Sequence, residues 1–491
     1  MIMGRRLKNI LGASVLVLLS HQANAQTVEE LQAQIDELKA AIKALQAAQS
    51  ADPTPSAQPR NLEQAERAAQ PDIAPLSPAE RSQPTQLAAE DSDDIDDPTA
   101  MADGSQATKP WYDRIKIRGY AQLRHNEIVS GDEKAEPGQS RLRSVHDRSV
   151  GDEENFFLRR ARLVLQGDLS DYISFYFQSD FASGINNQSN GERRENFVQL
   201  RDAYVDVHLD KSHRFKLRLG QSKVPFGWEN LQSSSNRLTL DRSDGINSAV
   251  PGEREVGVIA YYTPVHVQRI WDRLDADGQK LFGNYGALGV GVFNGQGANR
   301  SEQNDKTMQV AMATYPFELD GVADFLEGQV LEMGISLLRN RVQPEIRTGG
   351  VSEEIFKDSR AGFHVILYPQ PFGFQAEWNW GRGPEFDVAT GQIVEKNNNG
   401  GYIQTMVRID DFPMGELMPY GRWQRYRGGW RAATNAPRLE TDELELGVEW
   451  QAVDALELTL AYAHMKRREA DERRLGRAEG DVIRTQIQWN Y

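Results

Sequence analysis

Basic side chains recur in pairs that are separated by a single apolar residue. Arg160 and Arg162 form one such pair, and Lys216 and Arg218 form another. This spacing places both cations of a pair on the same face of a β-strand. A guanidinium group binds oxyanions well because its fork of N–H groups contacts two oxygens at once. The chemistry that these pairs indicate is recognition of anions, without making or breaking bonds.

Further cations share these faces or lie next to them. The segment "IKIRGYAQLRH" at 115–125 alternates in the same way, and a long polar loop at 228–254 carries Arg237 and Arg242. The candidate anion path therefore consists of nine residues: Arg118, Arg124, Arg160, Arg162, Lys216, Arg218, Lys223, Arg237 and Arg242. Arg159 has the opposite parity to Arg160 and is expected at a membrane interface, with its charge reaching towards water.

Two alternatives stay open for these residues. Asp202 and Asp206 fall on the same face as the cations, so cross-strand ion pairing that binds no solute is the first alternative. The loop at 228–254 could fold into a pore, where Arg237, Arg242, Asp241 and Asp244 would line the narrowest part. The other reading is an external surface loop.

The sequence excludes most catalytic classes. There is no cysteine, which rules out disulfides, zinc–thiolate sites, iron–sulfur clusters and thiol catalysis. There is also no H-E-x-x-H, G-x-S-x-G or Walker motif. The net charge of −15 argues against nucleic acid as a partner. We expect no enzymatic activity, no cofactor and no bound metal.

The elements that must position these side chains are alternating segments of about 8 to 12 residues. About sixteen strands are predicted, starting near residues 115, 156, 172, 198, 214, 254, 284, 306, 329, 359, 372, 401, 415, 441, 456 and 481. Short turns and long hydrophilic loops tend to alternate between them, as in outer-membrane barrels. Charges in mid-strand indicate a wet lumen, and aromatic residues near strand ends indicate interfacial girdles. The predicted fold is an all-β, antiparallel transmembrane β-barrel; a soluble β-sandwich or propeller is the alternative.

The last segment, "VIRTQIQWNY" at 482–491, is itself an amphipathic strand. An open sheet edge cannot lie in lipid, so this strand is expected to pair with the one at 115–125 and close the barrel. Ile483, Ile487 and Trp489 would then face lipid, and Arg484 and Gln486 would face the lumen. The aromatic Tyr491 is similar to the terminal assembly signal of such barrels.

The N-terminal part has a different organisation. Residues 1–25 have a basic start, a short apolar core and an A-x-A site, which predict a secretory signal peptide. Residues 26–49 carry about three heptads of a coiled-coil helix, whose seam requires an oligomer. Residues 50–109 form a Pro-rich, acidic linker that is expected to be disordered. The barrel domain is assigned to 110–491.

Three segments resemble the phosphate-selective porin O and P family. They are "FFLRRARLVLQGDLSDYISFYFQSDFA" at 156–182, "LRDAYVDVHL" at 200–209 and "RLGQSKVPFGWENLQSSSNRLTLDRS" at 218–243. The resemblance implies a sixteen-stranded, trimeric outer-membrane barrel with an inward-folded loop that narrows each pore. Several family members also carry an N-terminal coiled coil.

The predicted function is a bacterial outer-membrane porin. It would form a water-filled channel for small hydrophilic solutes, including anions such as phosphate, with outer-membrane lipid around it and the coiled coil in the periplasm. One alternative is a structural barrel that anchors or spaces the envelope through the coiled coil. The other is a soluble periplasmic β-domain protein.

Overall fold

The computed structural model describes residues 114–131, 142, 150, 156–186, 193–283, 285–473 and 477–491. The predicted signal peptide, coiled coil and linker lie outside the described residues. They stay predictions, as does the anchoring role that would depend on them.

The described part of the chain contains sixteen strands. Their bounds, in chain order, are β1 Ile115–Gly131, β2 Phe156–Ser170, β3 Ile173–Asn186, β4 Arg193–His208, β5 Phe215–Lys223, β6 Arg254–Tyr262, β7 Leu288–Phe293, β8 Met308–Glu318, β9 Val330–Val342, β10 Phe356–Leu367, β11 Phe372–Asp387, β12 Gln392–Val407, β13 Glu416–Gly429, β14 Arg438–Val453, β15 Leu456–Ala470 and β16 Ala478–Asn490.

Every strand pairs antiparallel with its sequence neighbours, and β16 pairs with β1, so the sheet is a closed barrel. The closing register sets Ala121 opposite Trp489 and Arg124 opposite Gln486. Tyr491 extends the seam, because its backbone exchanges hydrogen bonds of 2.6 and 2.9 Å with Gly119. The predicted barrel and its closing pair of strands are confirmed, and the sandwich or propeller alternative is wrong.

The predicted strand starts agree closely with the observed ones, with one clear exception. β12 begins at Gln392, well before the predicted start near 401. Its first half contains "NNNGG" at 397–401, a composition that disfavours strands on intrinsic propensity. Continuous pairing with β11 from Asp387 to Phe372 holds this half in the sheet. Tertiary pairing therefore overrides the local preference.

The two faces of the wall differ as expected. Outward side chains such as Ile335, Leu337 and Leu446 are exposed and apolar, which suits contact with lipid. Polar inward side chains are buried, among them Arg124 and Arg484. The interior is not polar throughout, however. Near β6 to β10 the lumen holds an apolar cluster of Val224, Phe226, Ala249, Val250, Ile259, Tyr261, Phe293, Met308, Val310 and Leu338.

Within the described residues, three α-helices lie in the connections: α1 Trp228–Leu231, α2 Asp244–Ala249 and α3 Val265–Ala276. A 3-10 turn spans Asp324–Leu326. No helix among the described residues is both long and apolar enough to cross a membrane. The connections at one end of the barrel include 224–253 and 343–355; we call this the loop end. We call the opposite end, with short connections such as 171–172 and 454–455, the turn end.

Candidate functional site

The connection 224–253, which we call the inner loop, lies inside the barrel and is almost entirely buried. It leaves the wall at β5 and returns to it at β6, but α2 contacts β11, β12 and β13 on the other side of the lumen. A Cβ atom at Gly245 would lie 2.5 Å from the carbonyl carbon of Gly400. Glycine is therefore required where α2 crosses the lumen and meets the wall.

The first part of the inner loop is held by a carboxylate on β11. Glu377 accepts hydrogen bonds of 2.6 Å from the backbone N–H groups of both Trp228 and Glu229, at the start of α1. The hydroxyl of Tyr402 donates to the same carboxylate at 2.9 Å. Gly227, with φ of 82°, makes the turn that aims these N–H groups at the wall.

The middle of the inner loop is held by Asp241. Arg124 lies 2.9 Å from this carboxylate, Arg159 lies 3.2 Å from it, and Arg484 also bonds to it. Burial opposes ionisation of Asp241, but these guanidinium groups hold its pKa well below the usual range. Asp241 thus stays ionised and ties the loop to β1, β2 and β16.

The end of the inner loop is held by a second buried carboxylate. Glu253 pairs with Arg254 and with Arg242, the latter at 3.1 Å. Burial again opposes ionisation, and Arg242, Arg254 and Lys223 outweigh it, so the pKa of Glu253 also lies well below its usual range. Asp244 at the start of α2 completes the attachment by pairing with Arg467 of β15 at 2.6 Å.

Most of the sequence-predicted cations lie in the lumen and have protein partners. Arg162 pairs with Asp180 at 2.9 Å and donates to Ser234 of the inner loop at 2.8 Å. Arg218 pairs with Asp206 through bonds of 2.8 Å and stacks over the ring of Tyr204.

The remaining cations that have partners make weaker or neutral contacts. Lys216 lies 3.6 Å from Asp206. Lys223 donates to two backbone carbonyls of the inner loop, those of Leu231 at 3.0 Å and Gln232 at 2.6 Å. Arg118 donates to Gln166 at 3.2 Å.

Arg160 and Arg237 differ from the predicted cations that pair with carboxylates, which are Arg124, Arg162, Lys216, Arg218 and Arg242. Both side chains are buried, with 5% and 6% of their surface exposed. Among the described residues neither has a carboxylate within 4.0 Å. Arg160 donates to the neutral Gln122 at 2.7 Å, and the three guanidinium nitrogens of Arg237 have no hydrogen-bond partner in the described part of the chain. The two cations lie close enough to repel each other.

The expectation for Arg159 is wrong. The pairing of β1 with β2 skips this residue, because Gln122 faces Arg160 and Leu123 faces Leu158. This β-bulge turns Arg159 inwards, where it contacts Asp241, so strict alternation gave the wrong face. A second bulge between β3 and β4 skips Arg201, which contacts Glu253 at 3.8 Å. The sequence analysis missed Arg201 for the same reason.

The comparison with sequence families identifies the chain. The model of phosphate-selective porin O and P matches residues 139–491. The chain belongs to this porin family. A search of curated proteins gives no match.

Solved porin and channel structures are also similar to this one. The outer membrane channel DcaP of Acinetobacter baumannii has 13% identity, covers 77% of this chain and 97% of its own, and gives a TM-score of 0.46. The anion-selective porin from Comamonas acidovorans has 10% identity, covers 77% of this chain and 99% of its own, and gives a TM-score of 0.45. The Salmonella typhi OmpF complex with daunomycin has 11% identity, covers 77% of this chain and 97% of its own, and gives a TM-score of 0.48.

This porin has a second inward segment, which the sequence analysis did not predict. The connection 263–287 lies at the turn end and contains α3, whose Val267, Ile270 and Leu274 are buried. Pro264 before the helix, Gly278 after it and the apolar spacing of three and four residues were the available signal. Where other turn-end connections are short, this one enters the lumen.

The second inward segment reaches across the porin to the opposite wall. Lys280 pairs with Glu449 of β14 at 2.8 Å and lies 3.8 Å from Glu457 of β15. Its backbone carbonyl accepts a bond of 2.9 Å from Gln232 of the inner loop. Arg237 and Lys280 line one cavity of the lumen. The inner loop and the turn-end segment therefore touch each other inside the porin.

No group of three or more His, Cys, Asp or Glu side chains in the described part of the porin is arranged to hold a metal ion. Many titratable side chains of the lumen instead pair with one another across strands and loops. This arrangement provides fixed charges inside the barrel, which is the property by which a channel selects solutes.

Proposed function

We propose that this outer-membrane porin conducts small hydrophilic anions and that Arg160 and Arg237 select for them. The observation that carries the proposal is the contrast between these two cations and their neighbours. Arg162 and Arg218 are neutralised by Asp180 and Asp206, whereas Arg160 and Arg237 have no carboxylate partner among the described residues.

The electrostatics favour anions at this point of the lumen. A buried cation without a counter-ion is costly, and a permeating anion lowers that cost while it is near. Because the anion would not be enclosed by a complete set of partners, it could also leave, as conduction requires. Both alternatives for the basic residues thus contribute. Most of the inward arginines form ion pairs with the protein, and Arg160 and Arg237 are the arginines that we assign to solutes.

Phosphate is the first anion to test, since the family model describes phosphate-selective porins. Arg237 supports this choice, because all its guanidinium nitrogens are buried without a hydrogen-bond partner among the described residues, and an oxyanion could accept hydrogen bonds from them. We propose the nine predicted basic residues as the anion path, with the seven others shaping its field. We also propose that the assembly is a trimer, as the family resemblance implies; cross-linking and light scattering of the detergent-solubilised protein test this.

The experiment is reversal-potential measurement on the full chain in planar bilayers under a potassium chloride gradient. We expect a potential of the sign that anion permeation gives, and we expect added inorganic phosphate to reduce the chloride conductance. A cation-selective potential would contradict the proposal. Anion selectivity without any phosphate effect would retain the anion pathway and remove phosphate as its solute.

A further inference from the structure

The outward face of β9, β10 and β11 carries cations at neighbouring positions near the loop end. The pairing register sets Arg339 beside Ser359 and Ser359 beside Arg382, so these residues form one row across three strands. One step nearer the loop end, Arg341 faces Lys357. Strands are about 4.8 Å apart and alternate residues about 6.7 Å apart, so the four charges share a small area. We call these four residues the outer basic patch.

The outer basic patch has little internal neutralisation. Arg339, Arg382 and Lys357 are exposed, and Arg341 is half-buried. Within the described residues the only carboxylate in ion-pair range of the patch is Glu395, 3.5 Å from Arg382. That pair is loose, because 62% of the Arg382 side chain remains exposed. The patch therefore carries about three unbalanced positive charges on the outside of the wall.

The other side of the barrel shows what a balanced rim looks like. Across β13 to β16, the register places Arg425, Asp442, Lys466 and Glu479 side by side, so the charges alternate in sign. Lys466 and Glu479 are 2.7 Å apart. Charges on that side neutralise one another. Most of the charges of the outer basic patch have no such neutralising group on the chain, so an anionic partner outside the chain would be attracted to them.

The height of the patch indicates the partner. Directly below its row, the next outward positions are Leu337, Ala361 and Trp380, and below them lie Ile335 and Phe363. Leu337, Trp380 and Ile335 are each more than half exposed. Exposed apolar residues mark the hydrocarbon region, and tryptophan marks its border with the headgroups. The cations thus lie at headgroup level, at the end with the long loops, which in such barrels is the outer side.

We propose that the outer basic patch binds the phosphate-bearing headgroup of an outer-leaflet lipid, whose acyl chains lie on the apolar surface below Trp380. Several guanidinium and ammonium groups at one level fit clustered phosphates, because arginine contacts two phosphate oxygens at once. Each cation near an anionic headgroup adds to the attraction. This site lies outside the lumen and is independent of the anion pathway.

The test is native mass spectrometry of the full chain in detergent, with bis-phosphorylated lipid A or its dephosphorylated form as the probe. The variant Arg339→Gln, Arg341→Gln, Lys357→Gln removes the unbalanced charges; Arg425→Gln with Lys466→Gln on the balanced side is the matched control. Heat-modifiable gel mobility verifies that each barrel is folded. If the glutamine variant does not fold, the charge-conserving Arg339→Lys, Arg341→Lys variant is used in the lipid-binding comparison instead.

We expect the wild type, the control and the lysine variant to retain phosphorylated lipid A, and the glutamine variant to bind it at least about tenfold more weakly. Dephosphorylated lipid A should bind weakly to all of them. Equal binding of the two lipids, or unchanged binding by the folded glutamine variant, would overturn the proposal. Loss of the oligomer in that variant, with lipid binding unchanged, would assign the patch to a second copy of the chain instead. If only the lysine variant folds, equal binding of phosphorylated and dephosphorylated lipid A would overturn the proposal.

Discussion

Arg124 on the first strand donates a hydrogen bond of 2.9 Å to Asp241 in the middle of the inner loop. Arg484 on the last strand bonds to the same carboxylate oxygen. The two strands that close the barrel therefore also help to hold the middle of the inner loop in the lumen. Closure of the wall and the position of the inner loop are coupled through one carboxylate.

Replacing Asp241 should loosen the attachment of the inner loop to the wall. Asp241→Asn keeps the size of the side chain but removes the negative charge that Arg124, Arg159 and Arg484 share. Breaking a buried ion pair by removing one partner costs about 3 kcal/mol or more. We expect noisier single-channel currents, stronger anion selectivity and a lower temperature of heat modification. Asp210→Asn at the exposed turn next to Arg214 is the control; unchanged currents in Asp241→Asn would show that the loop is held by other contacts.

Replacing the two arginines without a carboxylate partner should weaken anion selectivity. We expect Arg160→Gln and Arg237→Gln each to lower the anion-to-cation permeability ratio several-fold, and the double variant to approach no selectivity, because each removes a lumenal cation that no described carboxylate contacts. Reversal potentials in bilayers measure the ratio. Arg214→Gln, which removes an exposed turn-end charge, should leave it unchanged. A double variant with the selectivity of the wild type would refute the assignment of these residues.

Lys280 should control the turn-end segment. Lys280→Met retains much of the side-chain length but cannot pair with Glu449 and Glu457, so the segment loses its attachment to the opposite wall and leaves two carboxylates facing the lumen. We expect higher single-channel conductance together with a shift towards cations. Lys211→Met in a neighbouring turn is the matched control. Conductance equal to that of the wild type would mean that the segment does not limit ion flow.

Gly245 should be intolerant of any side chain. A Cβ atom there would lie 2.5 Å from backbone atoms of both Gly400 and Gly401, so α2 could not keep its place against β12. We expect Gly245→Ala to lower the temperature of heat modification and to alter conductance. Gly362→Ala is the control, since its Cβ would meet nothing closer than 3.4 Å. A Gly245→Ala variant that behaves like this control would show that the wall adjusts.

Hydrophobic alternation revealed the barrel, the closing strand pair and most inward cations because a lipid-facing wall leaves a strict period of two. Alternation could not reveal Arg159 or Arg201, since a bulge inserts one residue and reverses the parity on one side of it. It also could not reveal which cations lack partners. Arg160 and Arg162 have the same sequence context, and only the fold brings Asp180 to one and leaves the other with a neutral glutamine.

Hydrophobic alternation also could not reveal the apolar part of the lumen. Val310, Met312 and Leu338 have the pattern of buried strand residues in any β-protein. Their neighbours in the sequence do not indicate whether they contact an inner loop or lipid. The helix α3 is different, because the spacing of its apolar residues by three and four is visible in the sequence. In a barrel, a helix inside a connection follows the helical period and not the period of two that reveals the strands.

The bulges at Arg159 and Arg201 give this porin a way to change its solute preference without changing any residue type. Deleting one residue from either strand would restore regular pairing and rotate an arginine from water into the membrane side of the wall, and a new single-residue insertion elsewhere would do the reverse. Insertions and deletions at the loop-end halves of β2 and β4 are thus a route by which related pores could diverge in charge while their compositions stay nearly identical.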